Sequence, residues 1–429
     1  MNRIVPPVKG TRDFYPEQMA VRTWLHDTAR SVSESFGYQE YEAPLLESLQ
    51  LYAARSGDEL VREQAYVFRD RGGDEVVLRP ELTASLARMV SQRQAELTFP
   101  VRWWSYGPFW RYERPQRGRT REFFQWNVDM LGAESPEADA ENVAVLAAFL
   151  QRVGLTPKEV LILVNDRRLM EANFARLELD RQMIPDLSLW IDRRARMGPD
   201  EWRSQGVEIG LSEHQFDELA SLLGDPELWQ RSPELRRFFA ATDALGVADF
   251  VQFDAAIGRG LTYYTGTVFE AWEVGGEIRR ALLGGGRYDN LLSDVGGARL
   301  PAVGFAMGDV VMTLLLEKYG LLPANLPVFP ASVLVTLFDN ERLPDTLALG
   351  AELRRAGLAA AIYTEPAKLT RQFKYADKVR ASLVLVLGPD EAAAGQVTVK
   401  DLRDGKQHSV DRSTVGEYCR SLLEQHASG

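Results

Sequence analysis

Two aromatic-rich stretches flank the most basic segment of the chain, and that arrangement constrains the fold more than any other feature. Residues 101–110 (VRWWSYGPFW) and 123–130 (FFQWNVDM) carry the aromatic and β-branched residues that strands favour. Between them runs RYERPQRGRTREFFQ, Arg111 to Gln125, with five arginines. The simplest geometry is an antiparallel strand pair joined by a long basic loop. Alternation then sorts the second strand. Gln125, Asn127 and Asp129 share one face; Trp126, Val128 and Met130 share the other and pack on a core. The polar face either lines a cleft, with the arginine loop arching over its end, or lies against solvent. In a chain of formal net charge −11, the loop either meets a local anionic partner or is a solvated charged surface.

At 429 residues the chain exceeds one ordinary core, so two or three domains are expected. Residues 17–35 have helical spacing, and EVVLRPELTASLARMV reads as a short strand, a turn at Pro80 and a helix. Residues 136–153 read as helix and EVLILV as a buried strand. From 167 to 245 the pattern is helical with few strand signals, as in an insertion. Strand and glycine signals return in GRGLTYYTGTVFEAWEV and ALLGGGRYDNLL, and GFAMGDVVMTLLLEKYG reads as a strand entering a helix. The three prolines of GLLPANLPVFPA (320–331) mark a linker. Beyond it, SVLVTLF, LAAAIYT and SLVLVLG alternate with helical patterns, as in a small α/β unit with a mostly buried sheet. The expected organisation is a core of residues 1–166 and 246–321, an insertion at 167–245, and a second domain at 331–425.

Several classes are excluded. Hydrophobic content of 45% and charged content of 26% are those of a soluble globular protein. No run of about 18 uncharged apolar residues offers a membrane span. MNRIVPPVKGTRDFYP lacks the apolar stretch of a secretory signal. One cysteine, Cys419, and four scattered histidines (His26, His214, His408, His426) provide neither an intrachain disulfide nor a zinc-type spacing. The expectation is a cytoplasmic protein without a structural metal.

Three further clusters carry chemistry or local structure. In LRPELTAS, Glu81 and Thr83 follow Pro80, and Glu81 serves either a ligand or the dipole of the helix that starts there. In GRGLTYYTGTVFE, glycines on both sides of Arg259 let the backbone approach a ligand closely, and Tyr263 and Tyr264 follow. The three glycines of GGGRYDNL imply a strained or very close-packed backbone, or a tight sheet corner. None of these fits a Walker loop or a dinucleotide fingerprint.

Taken together, these segments resemble class II aminoacyl-tRNA synthetases and, within them, the histidyl-tRNA synthetase family. VKGTRDFYP resembles the family's N-terminal signature, LRPELTAS its amino-acid-binding turn, and FWRYERPQRGRTREFFQ its second class-defining motif. RGLTYYTGTVFEA and GGGRYDNL resemble the two histidine-specific motifs, and KLTRQFKYADKVRASLVLVLGPDE resembles the anticodon-binding domain. The resemblance spans nearly the whole chain, with the segments in the right order. It implies an α+β fold: the class II antiparallel sheet flanked by helices, a helical insertion, and a C-terminal α/β anticodon-binding domain. It also implies a homodimer, with FGYQEYEAPLLE in the position of the interfacial segment; read by itself, that segment is either an interface or a plain surface strand.

The implied activity is ligation of histidine to its tRNA through a histidyl-adenylate. ATP is a substrate, and Mg²⁺ arrives with it. Carried over from the motifs, Arg111 and Arg259 hold the α-phosphate and carboxylate, Glu113 accepts from the adenine amino group, and Phe123 stacks on adenine. Glu81, Thr83 and Gln125 match the α-ammonium acceptors. Asp129 and Tyr264 match the imidazole partners, with Tyr263 packing nearby. Gln116 and Arg121 match loop positions near the first base pair of the tRNA. In the C-terminal domain, Arg371, Lys374 and Lys378 are either phosphate contacts or a solvated helix face.

The chain also departs from the family's pattern. Asp129 stands where Glu is common, and Thr262 where Asp is usual. After GFAMG, Val310 and Val311 replace the Glu-Arg pair whose arginine covers the adenine face opposite the phenylalanine. Arg287 or an arginine of the basic loop is a candidate substitute. The departure keeps an alternative open: a non-catalytic, synthetase-like regulatory subunit of ATP phosphoribosyltransferase. Such proteins usually lack the C-terminal domain and degrade the arginines of the second motif, both of which this chain keeps. A synthetase for proline, glycine or threonine is a third reading, which RGLTYY followed by GGGRYD disfavours.

Overall fold

The computed structural model describes residues 4–53, 64–194, 197–258, 264–278, 280–290, 292–293 and 296–428. Two compact units divide the chain: residues 1–13 with 22–323, and residues 14–21 with 324–429. In the first, β1 (Gln39–Glu40) precedes three short strands, β2 (Leu46–Ser48), β3 (Tyr66–Arg69) and β4 (Glu75–Leu78). These three pair with one another in the order β2-β4-β3. β5 (Val101–Trp110) and β6 (Glu122–Leu131) are the pair expected around the basic loop. They run antiparallel, with Val101 opposite Leu131 and Trp110 opposite Glu122. β7 (Val160–Asp166), β8 (Val251–Phe253), β9 (Thr267–Glu273), β10 (Leu283–Arg287) and β11 (Ala302–Gly308) complete a large sheet of order β1-β5-β6-β11-β10-β9-β7-β8. Its interior pairings are antiparallel; β1 with β5 and β7 with β8 are parallel.

Helices cover both faces of this sheet, because each face carries every second side chain of its strands. On the back face, Trp126 packs against Phe149 of α4 (Pro136–Arg152) and Phe305 of β11. Its indole nitrogen donates to Ser33 Oγ of α1 (Pro16–Ser35) at 3.0 Å. α4 starts cleanly: Ser135 caps the Ala138 N–H, Pro136 opens the first turn, and Glu137 and Asp139 complement the dipole. On the front face, Leu86, Ala87 and Val90 of α3 (Thr83–Arg93) meet Val101, Leu131, Val268, Tyr264 and Tyr288 in one buried cluster. That cluster closes one end of the front face. At the other end Gln125, Ala306 and Gly308 remain partly exposed, at the mouth of the basic loop.

Between β7 and β8 the described residues form five α-helices: α5 (Arg167–Arg176), α6 (Ile184–Arg193), α7 (Pro199–Ile209), α8 (Glu213–Leu223) and α9 (Pro233–Ala244). α9 packs on α4, with Arg237 paired to Glu137. β11 runs into α10 (Asp309–Lys318), as the strand-to-helix pattern predicts.

In the second unit, β12 (Val333–Val335), β13 (Ala360–Ile362) and β14 (Leu383–Val386) pair in parallel, as strand–helix alternation predicts. α11 (Leu343–Arg355) and α12 (Leu369–Lys378) provide the crossovers. The sheet then continues with an antiparallel hairpin, β15 (Gln396–Asp401) and β16 (Gln407–Asp411), which the sequence reading lacks. QVTVKD alternates buried and exposed positions and QHSVD is almost wholly exposed, so neither offers an apolar run. Cys419 is buried in this unit's core, and burial pushes its thiol up to about 12, consistent with a packing role.

Candidate functional site

The front face of β6 presents Gln125, Asn127 and Asp129, as alternation predicts. Across β11, Gly308, Ala306 and Gly304 stand opposite them. Gly304 in turn pairs with Gly286 of β10. Small residues thus line this part of the front face, and the larger side chains of Asp129 and Tyr264 lie over them. A Cβ on Gly304 would run into the Asp129 carboxyl, and a Cβ on Gly286 would come within 2.9 Å of Tyr264 Cδ1. Asp129 and Tyr264 therefore sit over neighbouring glycines on the same face, about one strand spacing of 4.8 Å apart.

The glycine triplet is neither a corner nor a strained turn. It is an interior strand, and none of Gly284, Gly285 and Gly286 has a positive φ. Close packing explains it: a Cβ on Gly285 would strike Gly304 O and, within 2.7 Å, the Phe269 ring on the back face.

Asp129 is 7% exposed, and its Oδ1 accepts a short hydrogen bond from the buried Tyr288 hydroxyl. Burial pushes its carboxyl up to about 7, with the Tyr288 bond pulling the other way. Tyr288 lies inside GGGRYD, yet sequence reasoning gave it no role. A hydroxyl next to the glycine triplet was the available signal.

At the open end, the Arg111 guanidinium lies over Phe123, which shares the front face of β6 with Gln125, and Thr83 opens α3. Arg111 Nε donates to Pro80 O at 3.0 Å, tying the first loop arginine to the turn that carries Glu81. Arg79 anchors that turn. It is fully buried, donates from Nη1 to Glu42 and to Ala43 O, and donates from Nε to Pro108 O. Gly107, opposite Gln125 on β5, leaves the space that the Arg79 guanidinium fills. Glu81 precedes α3, whose first turn carries no acidic residue, so Glu81 is not the first-turn carboxylate of that helix.

Phe123 is stacked on Phe109 with centroids 6.1 Å apart, and the Arg111 guanidinium lies 5.3 Å over its ring. Glu113 accepts from Arg119 Nη1 at 2.9 Å, and its carbonyl accepts from Arg121 Nε at 3.2 Å. Gln116 and Arg119 pair through their backbones around Gly118, forming the loop tip. The N-terminal signature packs on the loop's base: Arg121 N donates to Gly10 O, and Gly10, at φ 88°, leaves space for the Arg121 stem. Asp309 ties three motifs together. Its Oδ2 accepts from Arg12 Nη2 and its Oδ1 from Phe124 N, both at 2.8 Å. Sequence reasoning missed this aspartate, although it follows GFAMG directly.

Arg287 does not reach the cleft. It is 1% exposed on the back face, forks onto Asp139, and donates to Ala133 O and Ser135 O. It is a structural cation and no substitute for the arginine absent at Val311. Arg259, Thr262 and Tyr263 lie outside the described residues. Among the described residues no three His, Cys, Asp or Glu side chains gather as a metal cage, and no helix is long and apolar enough to cross a membrane.

Comparison with known proteins is consistent across sequence and structure. The histidyl-tRNA synthetase family matches residues 10–308, and the anticodon binding domain matches residues 332–422. A histidine–tRNA ligase of Haloarcula marismortui is 37% identical, covering 98% of this chain and 99% of that protein. A chloroplastic/mitochondrial histidine–tRNA ligase of Arabidopsis thaliana is 36% identical, covering 96% and 86%. The crystal structure of histidyl-tRNA synthetase from Nostoc sp. PCC 7120 superposes with a TM-score of 0.81 at 27% identity, covering 98% of this chain and all of that one. Full-length similarity to ligases does not favour the regulatory-subunit alternative.

Proposed function

The chain belongs to the histidyl-tRNA synthetase family, and from that premise we infer how its residues ligate histidine to tRNA. The observation that carries the assignment is the polar face of β6. Arg111 lies over Phe123, two residues before Gln125, at its open end, and Asp129 lies beside Tyr264 at its closed end.

In the first step a carboxylate oxygen of histidine attacks the α-phosphorus of ATP. An oxygen–phosphorus bond forms, and the bond to the pyrophosphate bridging oxygen breaks. Two anions must meet, so preorganised cations are the effective catalysts. Arg111, oriented by Pro80 O, holds the α-phosphate and the carboxylate from one side. Arg259 serves the other side. Glu81, Thr83 and Gln125 receive the α-ammonium, while Asp129 and Tyr264 receive the imidazole, with Tyr263 beside them. Burial of these partners underlies selectivity, because an analogue lacking the hydrogen bonds leaves them unpaired. Asp129 is one methylene shorter than glutamate; Tyr288 holds it over Gly304, within the width of the floor. Phe123 stacks on adenine and Glu113 accepts from its amino group. Mg²⁺ comes with the nucleotide phosphates as part of the substrate.

In the second step the terminal ribose hydroxyl of the tRNA attacks the histidyl carbonyl and AMP leaves. Gln116 and Arg121 meet the acceptor end, and residues 331–425 meet the anticodon. Residues 167–245 are an insertion within a catalytic core of 1–166 and 246–321, a reading supported by five helices between two strands of one sheet. The active form is a homodimer. Exposed Leu45, Leu46, Val67 and Phe68, in and beside the small sheet, support an apolar interface there. The cytoplasm, with its tRNA and ATP, is the proposed compartment.

Histidine-dependent ATP–pyrophosphate exchange tests the site. The wild type is expected to exchange with histidine and no other amino acid, and Arg259→Ala to lose the activity. Undiminished exchange by Arg259→Ala would remove that arginine from the mechanism. Exchange with another amino acid would overturn the roles of Asp129 and Tyr264.

A further inference from the structure

The first turn of α10 carries valines where the family pattern has a Glu-Arg pair. Val310 and Val311 stand there, Val311 at 4% exposure, and Leu314 follows one turn on. A guanidinium approaches the next turn of α10, at Leu314, from another element. Arg280, in the connection between β9 and β10, extends to the basic loop and donates from Nη1 to Gly118 O at 2.6 Å. A Cβ on Gly118 would meet Arg280 Nη1 at 3.5 Å and Leu314 Cδ1 at 3.7 Å, so Arg280 and the α10 side chain lie together under the loop tip.

Its surroundings are those of a ligand-facing cation. Arg280 is partly buried, and its charged neighbours are Arg119, Glu113 and Arg111. Glu113 is already paired with Arg119. Burial, together with Arg119, disfavours the Arg280 charge in the unliganded protein. A planar cation held by one corner among other cations gains from a flat electron-rich face and nearby phosphates.

We propose that Arg280 is an ATP-binding residue that covers the face of the adenine ring turned away from Phe123, supplying from the β9–β10 connection what Val311 does not supply from α10. The inference rests on the reading of Phe123 and Glu113 as the adenine site. An adenine on Phe123 with its amino group at Glu113 has one face left to cover, and Arg280 is a neighbour of that glutamate. The hydrogen bond to Gly118 O holds the guanidinium at the loop tip, so the loop and the cover close as one piece.

The test compares wild type with Arg280→Ala, Arg280→Lys and Arg280→Gln. Readouts are calorimetric ATP binding and the KM values for ATP and histidine in exchange. Arg280→Ala is expected to weaken ATP binding and raise KM for ATP by about tenfold, the scale of a lost desolvated cation–π contact. KM for histidine should not move. Lysine should recover part of the loss. Glutamine, which still donates to Gly118 O but has no charge, should not. Unchanged ATP binding in Arg280→Ala would overturn the proposal. So would a joint rise in both KM values that glutamine restores, because that pattern belongs to a residue that only pins the loop. A wild type that binds ATP but shows no histidine-dependent exchange would count against the synthetase reading and leave the Arg280 comparison to be judged on binding.

Discussion

The Asp129 carboxyl sits over Gly304 with one oxygen held by Tyr288, and that environment sets both its task and its cost. Burial raises its pKa to about 7 in the folded protein from the ordinary value of 3.8. Between those two values the unfolded chain has lost its proton while the folded chain keeps it, so stability falls as pH rises and levels off above about 7. Asp129→Asn keeps an acceptor for Tyr288 and removes the titration. The variant is expected to melt higher than wild type at pH 8, with the difference vanishing near pH 4, in thermal scans without ligand. The same variant should raise KM for histidine about tenfold or more, the usual scale for losing a hydrogen bond to a charged group. A melting difference that does not change with pH would mean the carboxyl is not the titrating group. Arg287 shows the opposite logic at the same scale. The sequence leaves it as a candidate for the nucleotide, but a buried fork onto Asp139 and bonds to Ala133 O and Ser135 O occupy it. A guanidinium reads the same in sequence whether it points forward or back from a strand. For Arg287 the register of β10 decides.

At the scale of elements, the cleft exists because strands of small residues meet strands of polar ones. β6 brings Gln125, Asn127 and Asp129; β11 answers with Gly308, Ala306 and Gly304; β10 adds Gly286. Alternation in FFQWNVDM revealed the first row. The second and third rows were visible only as glycine signals, because pairing between strands distant in sequence has no local signature. Gly304→Ala tests the arrangement. Its methyl would press on the Asp129 carboxyl and within 2.8 Å of Val128 O. Overpacking of this kind costs about 1–3 kcal/mol, so urea unfolding should show that loss, together with a raised KM for histidine. Full stability with normal KM would mean the floor is looser than the pairing implies. The basic loop follows the same principle. Its arginines were legible as a charge run; that Arg121 packs on Gly10 and Arg111 on Pro80 O depends on two other segments arriving, and that Arg119 meets Glu113 on how the loop folds back.

For the whole molecule, the proposed function assigns amino-acid activation to the first unit and tRNA selection to the second, which matches the anticodon binding domain over residues 332–422. On α12 of the second unit, Arg371, Lys374 and Lys378 are exposed along one side of the helix, and Tyr375 beside them is 40% exposed. Basic side chains interleaved with an aromatic suit a single-stranded nucleic acid, which offers phosphates and stacking faces. The triple variant Arg371→Ala, Lys374→Ala and Lys378→Ala should raise KM for tRNA in aminoacylation, most at low salt and with a shallower salt dependence than wild type, while leaving histidine-dependent exchange as it is. A variant that charges tRNA normally would make this face a solvated surface. The fall of exchange along with charging would mean that the two units are not separable in function.

By itself the sequence determined the class of fold, the strand pair around the basic loop, the polar row of β6 and the order of the motifs. Each of these depends on local periodicity or on a contiguous pattern, and such signals survive in one dimension. The tertiary structure alone decided which polar residues serve the cleft and which serve the core. It put Tyr288 on Asp129, Asp309 between Arg12 and the backbone of Phe124, Arg287 behind the sheet and Arg280 under the loop tip. The partners in these contacts stand far apart in the chain. Their meeting is set by strand register and by the space that a few glycines leave open, and no short stretch of sequence encodes either one.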